Sequence, residues 1–162
     1  MFETHLDATY AWVGLALVSV ATVGVAAALP ATPPPDASGV AHTIDSVANG
    51  EHPATAEHGL AADRIRLTNR TVALDDGNGA ARATLRAPRI TPVPTGRRGT
   101  ADSNGLRRVI SGAPPDAVFD DPEAFAVAVE RARERDHEWR PAPDRVTVRR
   151  VHYGGVHVTL VG

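Results

Sequence analysis

Two histidines, His152 and His157, flank the dipeptide Gly154-Gly155 close to the end of the chain. Paired glycines suit the positive φ angles of a two-residue hairpin turn. That register places the two imidazoles directly opposite each other, with Cβ atoms about 5 Å apart. Two such rings can share a metal ion, and His52 and His58 would add ligands if the chain folds them nearby. The competing reading is a solvated pair on an exposed strand face.

The other chemistry-bearing patterns have structural explanations. Gly77-Asn78-Gly79 lacks the third glycine and the following helix of a dinucleotide-binding loop, so a tight turn is expected there. Asp75-Asp76 and Asp120-Asp121 fall in a turn and at a helix start, where carboxylates accept backbone N–H groups. The chain has no Cys, which removes disulfides, thiolate metal sites and cysteine nucleophiles. Gly-x-Ser-x-Gly, His-Glu-x-x-His and Walker-type patterns are absent too. The expectation is therefore no enzymatic activity and no cofactor.

Net charge is −2 with both signs interspersed, so a nucleic-acid partner is not expected. Every basic residue is Arg, and the pairs Arg97-Arg98, Arg107-Arg108 and Arg149-Arg150 offer either a basic surface for anionic headgroups or the solvated faces of short elements. Asn69-Arg70-Thr71 satisfies the N-glycosylation pattern, with Asn69 at an expected turn.

Four regions are expected to position these residues. Residues 1–7 form a short polar start, and 8–29 a transmembrane helix. The segment Ala8 to Leu29 is 22 residues without a charged side chain, about 33 Å as a helix and so matched to a hydrocarbon core. Met1 to Asp7 carries no Arg or Lys, unlike the start of a signal peptide, so an uncleaved single-pass anchor is expected. Tyr10 and Trp12 suit the headgroup level, and Gly14, Ala21, Gly24 and Ala28 make a small-residue stripe where another helix could pack. No Arg or Lys precedes Arg64, so the positive-inside rule gives no orientation.

Residues 30–36 read as a stiff stalk through Pro33-Pro34-Pro35, and 37–162 as one globular domain of the α+β class. Its expected plan is a small antiparallel sheet, a packed amphipathic helix and a C-terminal β-hairpin. Val40, Ile44 and Val47 have helical spacing, with Asp36 or Ser38 as cap and Gly50 as stop. Residues 51–63 give no periodicity. Ile65 with Leu67, and Val72 with Leu74, alternate on either side of a turn or bulge at Asn69-Arg70. A strand over 82–86 and an edge segment at 90–93 follow, the latter bounded by prolines.

A short helix is expected over 104–112, and a second starting at Asp121-Pro122-Glu123 with Phe125, Ala128, Val129 and Ala132 on its apolar face and Trp139 sealing its end. In the final hairpin, 146–153 and 156–161, Val151, Tyr153, Val156, Val158 and Leu160 share a face. Val146 and Val148 fall out of phase with them, which predicts a bulge at Arg149-Arg150.

Taken together, FETHLDATYAWVGLALVSV, LPATPPPDA, HPATAEH, LRRVISGAPPDAVFDDPEAFAVAV and VHYGGVHVTLVG resemble an uncharacterised family of haloarchaeal single-pass membrane proteins. The resemblance implies association with type IV pilus-like or secretion machinery, a cell-membrane location with the domain outside, and partners that are the lipid bilayer and other proteins of a membrane assembly. It supplies no catalytic residues. Met1 to Asp7 lacks the basic peptidase-recognition stretch of a prepilin, which points to an accessory rather than a pilin.

Overall fold

The computed structural model describes residues 33–94, 101–135 and 137–162. The expected membrane segment, with Tyr10, Trp12, Gly14, Ala21, Gly24 and Ala28, lies outside the described residues, as does the pair Arg97-Arg98. Among the described residues no helix is long and apolar enough to cross a membrane. The chain divides into two units between Pro33 and Pro34, inside the proline run.

The second unit is an α+β domain whose described residues form three α-helices and two four-stranded sheets. Helix α1, Ala37–Ala48, starts where Asp36 accepts a hydrogen bond from the Gly39 backbone N–H at 2.7 Å, an N-cap worth about 1 kcal/mol. Its buried face carries Ala37, Val40, Ala41, Ile44, Val47 and Ala48. Strand β1, Ala54–Gly59, follows within the stretch where periodicity gives no signal. Strands β2, Arg64–Leu67, β3, Thr71–Asp75, and β4, Ala80–Thr84, form a meander. The turn at Asn69-Arg70 and the loop around Gly77 are both present, although β4 begins two residues earlier than its alternation indicates.

Strand β5 is the short piece Thr91–Pro92, and helix α2 spans Ala101–Ile110. Helix α3, Pro122–Arg133, begins at Asp121, whose side chain accepts from the Ala124 N–H at 2.7 Å. Strands β6, Arg140–Pro141, β7, Arg145–Tyr153, and β8, Val156–Val161, complete the order. The first sheet runs β1-β7-β8-β5 and the second β4-β3-β2-β6. Among the described residues only β5 pairs in parallel, with β8. Pro92 is tolerated because β5 is an edge strand. The expectation of one small sheet is thus corrected to two.

The expected bulge at Arg149-Arg150 is absent. The β7–β8 ladder runs without interruption from Val148 opposite Val161 to Tyr153 opposite Val156. Val146 and Val148 are nevertheless fully buried, because both faces of the first sheet are covered. On one face Val146, Val148 and Val161 pack with α1 and with Ile65, Leu67, Val72 and Leu74 of the second sheet. On the other, Val151, Val158 and Leu160 pack with Leu106, Val109 and Ile110 of α2 and Phe125, Ala128, Val129 and Ala132 of α3. A strand between two cores reads as out of phase when only one core is assumed.

Phe125 anchors the second core and meets Phe119 and Tyr153 edge-on, with ring centroids 5.3 and 6.1 Å away. Burial of such a ring contributes about 2–3 kcal/mol.

Candidate functional site

The final hairpin forms as its sequence indicates, with Gly154 and Gly155 at φ +52° and +82°. His152 stands opposite His157, and the two rings stack with centroids 4.1 Å apart and planes 16° from parallel. Successive side chains of a strand point to opposite faces, so His152 shares the α1 face with Arg150. The Arg150 Nε–H donates to His152 Nε2 at 3.2 Å. That ring nitrogen is therefore an acceptor, and the proton of neutral His152 sits on Nδ1. The His152 pKa is lowered, first by burial and then by the charges of His157, Arg150 and His52.

His52 acts on the pair only through its charge, whereas His58 is held elsewhere. Thr43 Oγ1 donates to the Gly39 carbonyl at 3.0 Å and lies 2.9 Å from His58 Nδ1, so the ring nitrogen donates to the hydroxyl oxygen. Among the described residues no group of three or more His, Asp or Glu side chains is placed to hold a metal ion. The hairpin offers two imidazoles facing one another, and one of them already accepts from a cation.

Arg149 and Arg150 diverge to opposite faces of the first sheet. Arg150 donates to the Ala48 carbonyl, the last residue of α1, and Arg149 donates to the Val109 carbonyl in the last turn of α2. Each guanidinium therefore sits at a helix C-terminus, where unsatisfied carbonyls and the helix dipole favour a cation. Arg107 is likewise engaged, its Nε donating to the Pro94 carbonyl at 3.3 Å. Arg107, Arg149 and Arg150 thus knit elements together, while Arg108 is exposed.

A different aromatic and basic grouping forms where the second sheet ends. Arg64 and Arg66, alternate residues of β2, place their guanidinium carbons 5.4 and 5.1 Å from the centre of the Trp139 ring, inside the range of a cation–π contact. Trp139 does line a cleft of about 210 Å³ with Ala132 of α3, together with Leu67, Pro92 and Val93. Its ring thus borders both the last turn of α3 and the two arginines of β2. Arg140 bridges the margins of the two sheets by donating to the Val93 carbonyl at 3.2 Å, and burial lowers its pKa. The alternation Arg64-Ile65-Arg66-Leu67 marks this grouping in the sequence, but only the pairing of β6 with β2 brings Trp139 to it.

Asn69 lies in the β2–β3 turn, where its carbonyl accepts from the Ile90 N–H at 3.1 Å. A family model described as a family of unknown function, DUF7283, matches residues 3–151. The chain belongs to the DUF7283 family. The matched residues take in β1 to β6, helices α1 to α3 and most of β7, while His152 and His157 of this DUF7283 chain follow the match. No curated protein and no solved structure matches the chain.

Proposed function

We propose that this DUF7283 chain is a membrane-anchored interaction subunit, with residues 8–29 as a single-pass anchor and the domain as a docking surface. The observation that carries the reading is the uncharged stretch Ala8 to Leu29, long enough to span a bilayer. It is joined through Pro33-Pro34-Pro35 to a domain whose boundary falls in that run. The resemblance to haloarchaeal single-pass proteins makes a pilus-like or secretion assembly the setting, the cell membrane the location, and the exterior the side of the domain. A glycan on Asn69 is consistent with that side.

Cross-linking in native membranes, with identification of the joined proteins, tests the role. Recurrent adducts to components of one assembly support it, and an exclusively uncross-linked chain would count against it.

A second reading, binding of a metal or other ligand at His152 and His157, rests on their pairing across the β7–β8 ladder; the rings stack face to face, so in-plane nitrogens would reach a shared ion only after the rings turn. Zinc or copper titration of the chain should then give stoichiometric binding that His157→Ala abolishes. Absence of binding removes this reading.

A further inference from the structure

The second sheet has an inner face, with Ile65, Leu67, Val72 and Leu74 in the core, and an outer face that carries the alternate residues. Pairing aligns those outer residues in rows. Arg82 stands opposite Ala73, and Ala73 opposite Arg66. Because Ile65 pairs with Arg140, the next residue back, Trp139, is level with Arg66. One row across the sheet is therefore Arg82, Ala73, Arg66, Trp139. The adjoining row carries Ala80, Asp75 and Arg64.

Ala73 is only 4% exposed although it belongs to neither core cluster, so the stems of its long neighbours cover it. Among the described residues no carboxylate lies within ion-pair distance of Arg64, Arg66 or Arg82. Asp75, the acid of this face, turns one oxygen to the Gly77 N–H at 2.9 Å. Helices α2 and α3 cover the first sheet, and α1 packs on the inner side of the second.

We infer that this outer face, built on Arg64, Arg66, Arg82 and Trp139, docks an acidic segment of a protein partner. The proposal names the docking surface of the interaction subunit and rests on that reading. Arg and Trp are the residue types that carry most binding energy at protein interfaces. Here Arg64 and Arg66 are held over the Trp139 ring, with Arg82 in the row of Arg66, and guanidinium N–H forks suit bidentate binding of carboxylates. Charge complementarity selects the partner: three cations against the single carboxylate of Asp75, with which none forms an ion pair, call for Asp and Glu opposite them.

The test places a photo-activated cross-linking residue at Thr84, on the same outer face beside Thr71, or at the exposed Arg108 of α2 as a control, in the full chain within native membranes. The expected result is a protein adduct at Thr84 whose joined peptide is rich in Asp and Glu, with little at Arg108. Arg66→Glu together with Arg82→Glu should lower that adduct about tenfold or more, and the matching Gln variants by less. Arg108→Glu should leave it unchanged.

Equal adducts at the two positions, a joined peptide without acidic residues, or adducts to lipid or nucleic acid would overturn the proposal. A Thr84 adduct from chain that washes off membranes would leave the docking face standing and remove the anchor. A membrane-retained chain with no adduct above the control would do the reverse.

Discussion

Asp45 offers the sharpest test of how the domain is held together. It sits in the last half of α1 and reaches the segment after β4, where its carboxylate accepts from the Arg86 N–H at 3.0 and 3.2 Å and from the Ala87 N–H at 3.0 Å. Two successive amides thus converge on one anion across a separation of about 40 residues. A hydrogen bond to a charged acceptor contributes about 1.5–3 kcal/mol, with the low end fitting a half-exposed carboxylate. Asp45→Ala also gains about 0.5 kcal/mol in helix propensity. The net expectation is a loss of about 2.5 kcal/mol, and about half of that for Asp45→Asn, which keeps one carbonyl acceptor. Urea unfolding of residues 34–162, followed by circular dichroism and Trp139 fluorescence, reads this as a lower midpoint at unchanged slope. A midpoint for Asp45→Ala within about 0.5 kcal/mol of the parent would mean that water serves those amides equally well, and the clamp would be refuted.

At the hairpin tip, a Cβ on Gly154 would overlap the Pro122 ring at the start of α3, while one on Gly155 would meet nothing within 4 Å. Gly154→Ala should therefore lower the melting temperature well beyond Gly155→Ala, whose cost is the backbone term alone, about 1 kcal/mol. Equal shifts would dissociate the tip from α3. Lowering the His152 pKa means that the unfolded chain takes up its proton more readily than the folded one. That contribution to stability is present above about pH 6.5, the unfolded value, and is lost as pH falls through the lower folded value. The urea midpoint should decline on acidification through this window, with a shallower decline in His152→Asn. In Arg150→Met, removal of one of the charges lowering the His152 pKa should raise it, as read by NMR titration, and the missing donor at the Ala48 carbonyl should lower the stability of α1. An unchanged titration would contradict the Arg150–His152 contact.

Local signals carried much of this fold. Asp36 and Asp121 cap the helices they precede, the four apolar residues of α3 are all buried, and Gly154-Gly155 sets the histidine register. Strand β1 was invisible because Ala54, Ala56 and Gly59 give no apolar alternation, and β7 recruits it through the backbone ladder. The mistaken bulge has a similar origin. Val148 and Val151 differ in parity because they serve two cores, a fact that belongs to the layering and to no single segment. The basic grouping on the second sheet was half legible. Arg64 and Arg66 alternate openly, but Trp139 reaches them through pairing at long sequence separation. Conversely, the adjacent Arg149-Arg150, open in sequence to a basic surface or to solvated faces, serve opposite faces of the first sheet and cap two different helices.

Alkaline carbonate extraction of cell membranes tests the central claim most directly. The full chain should stay in the membrane pellet, and a chain lacking residues 8–29 should leave it. Release of the full chain into the carbonate supernatant would contradict the anchor on which the account depends.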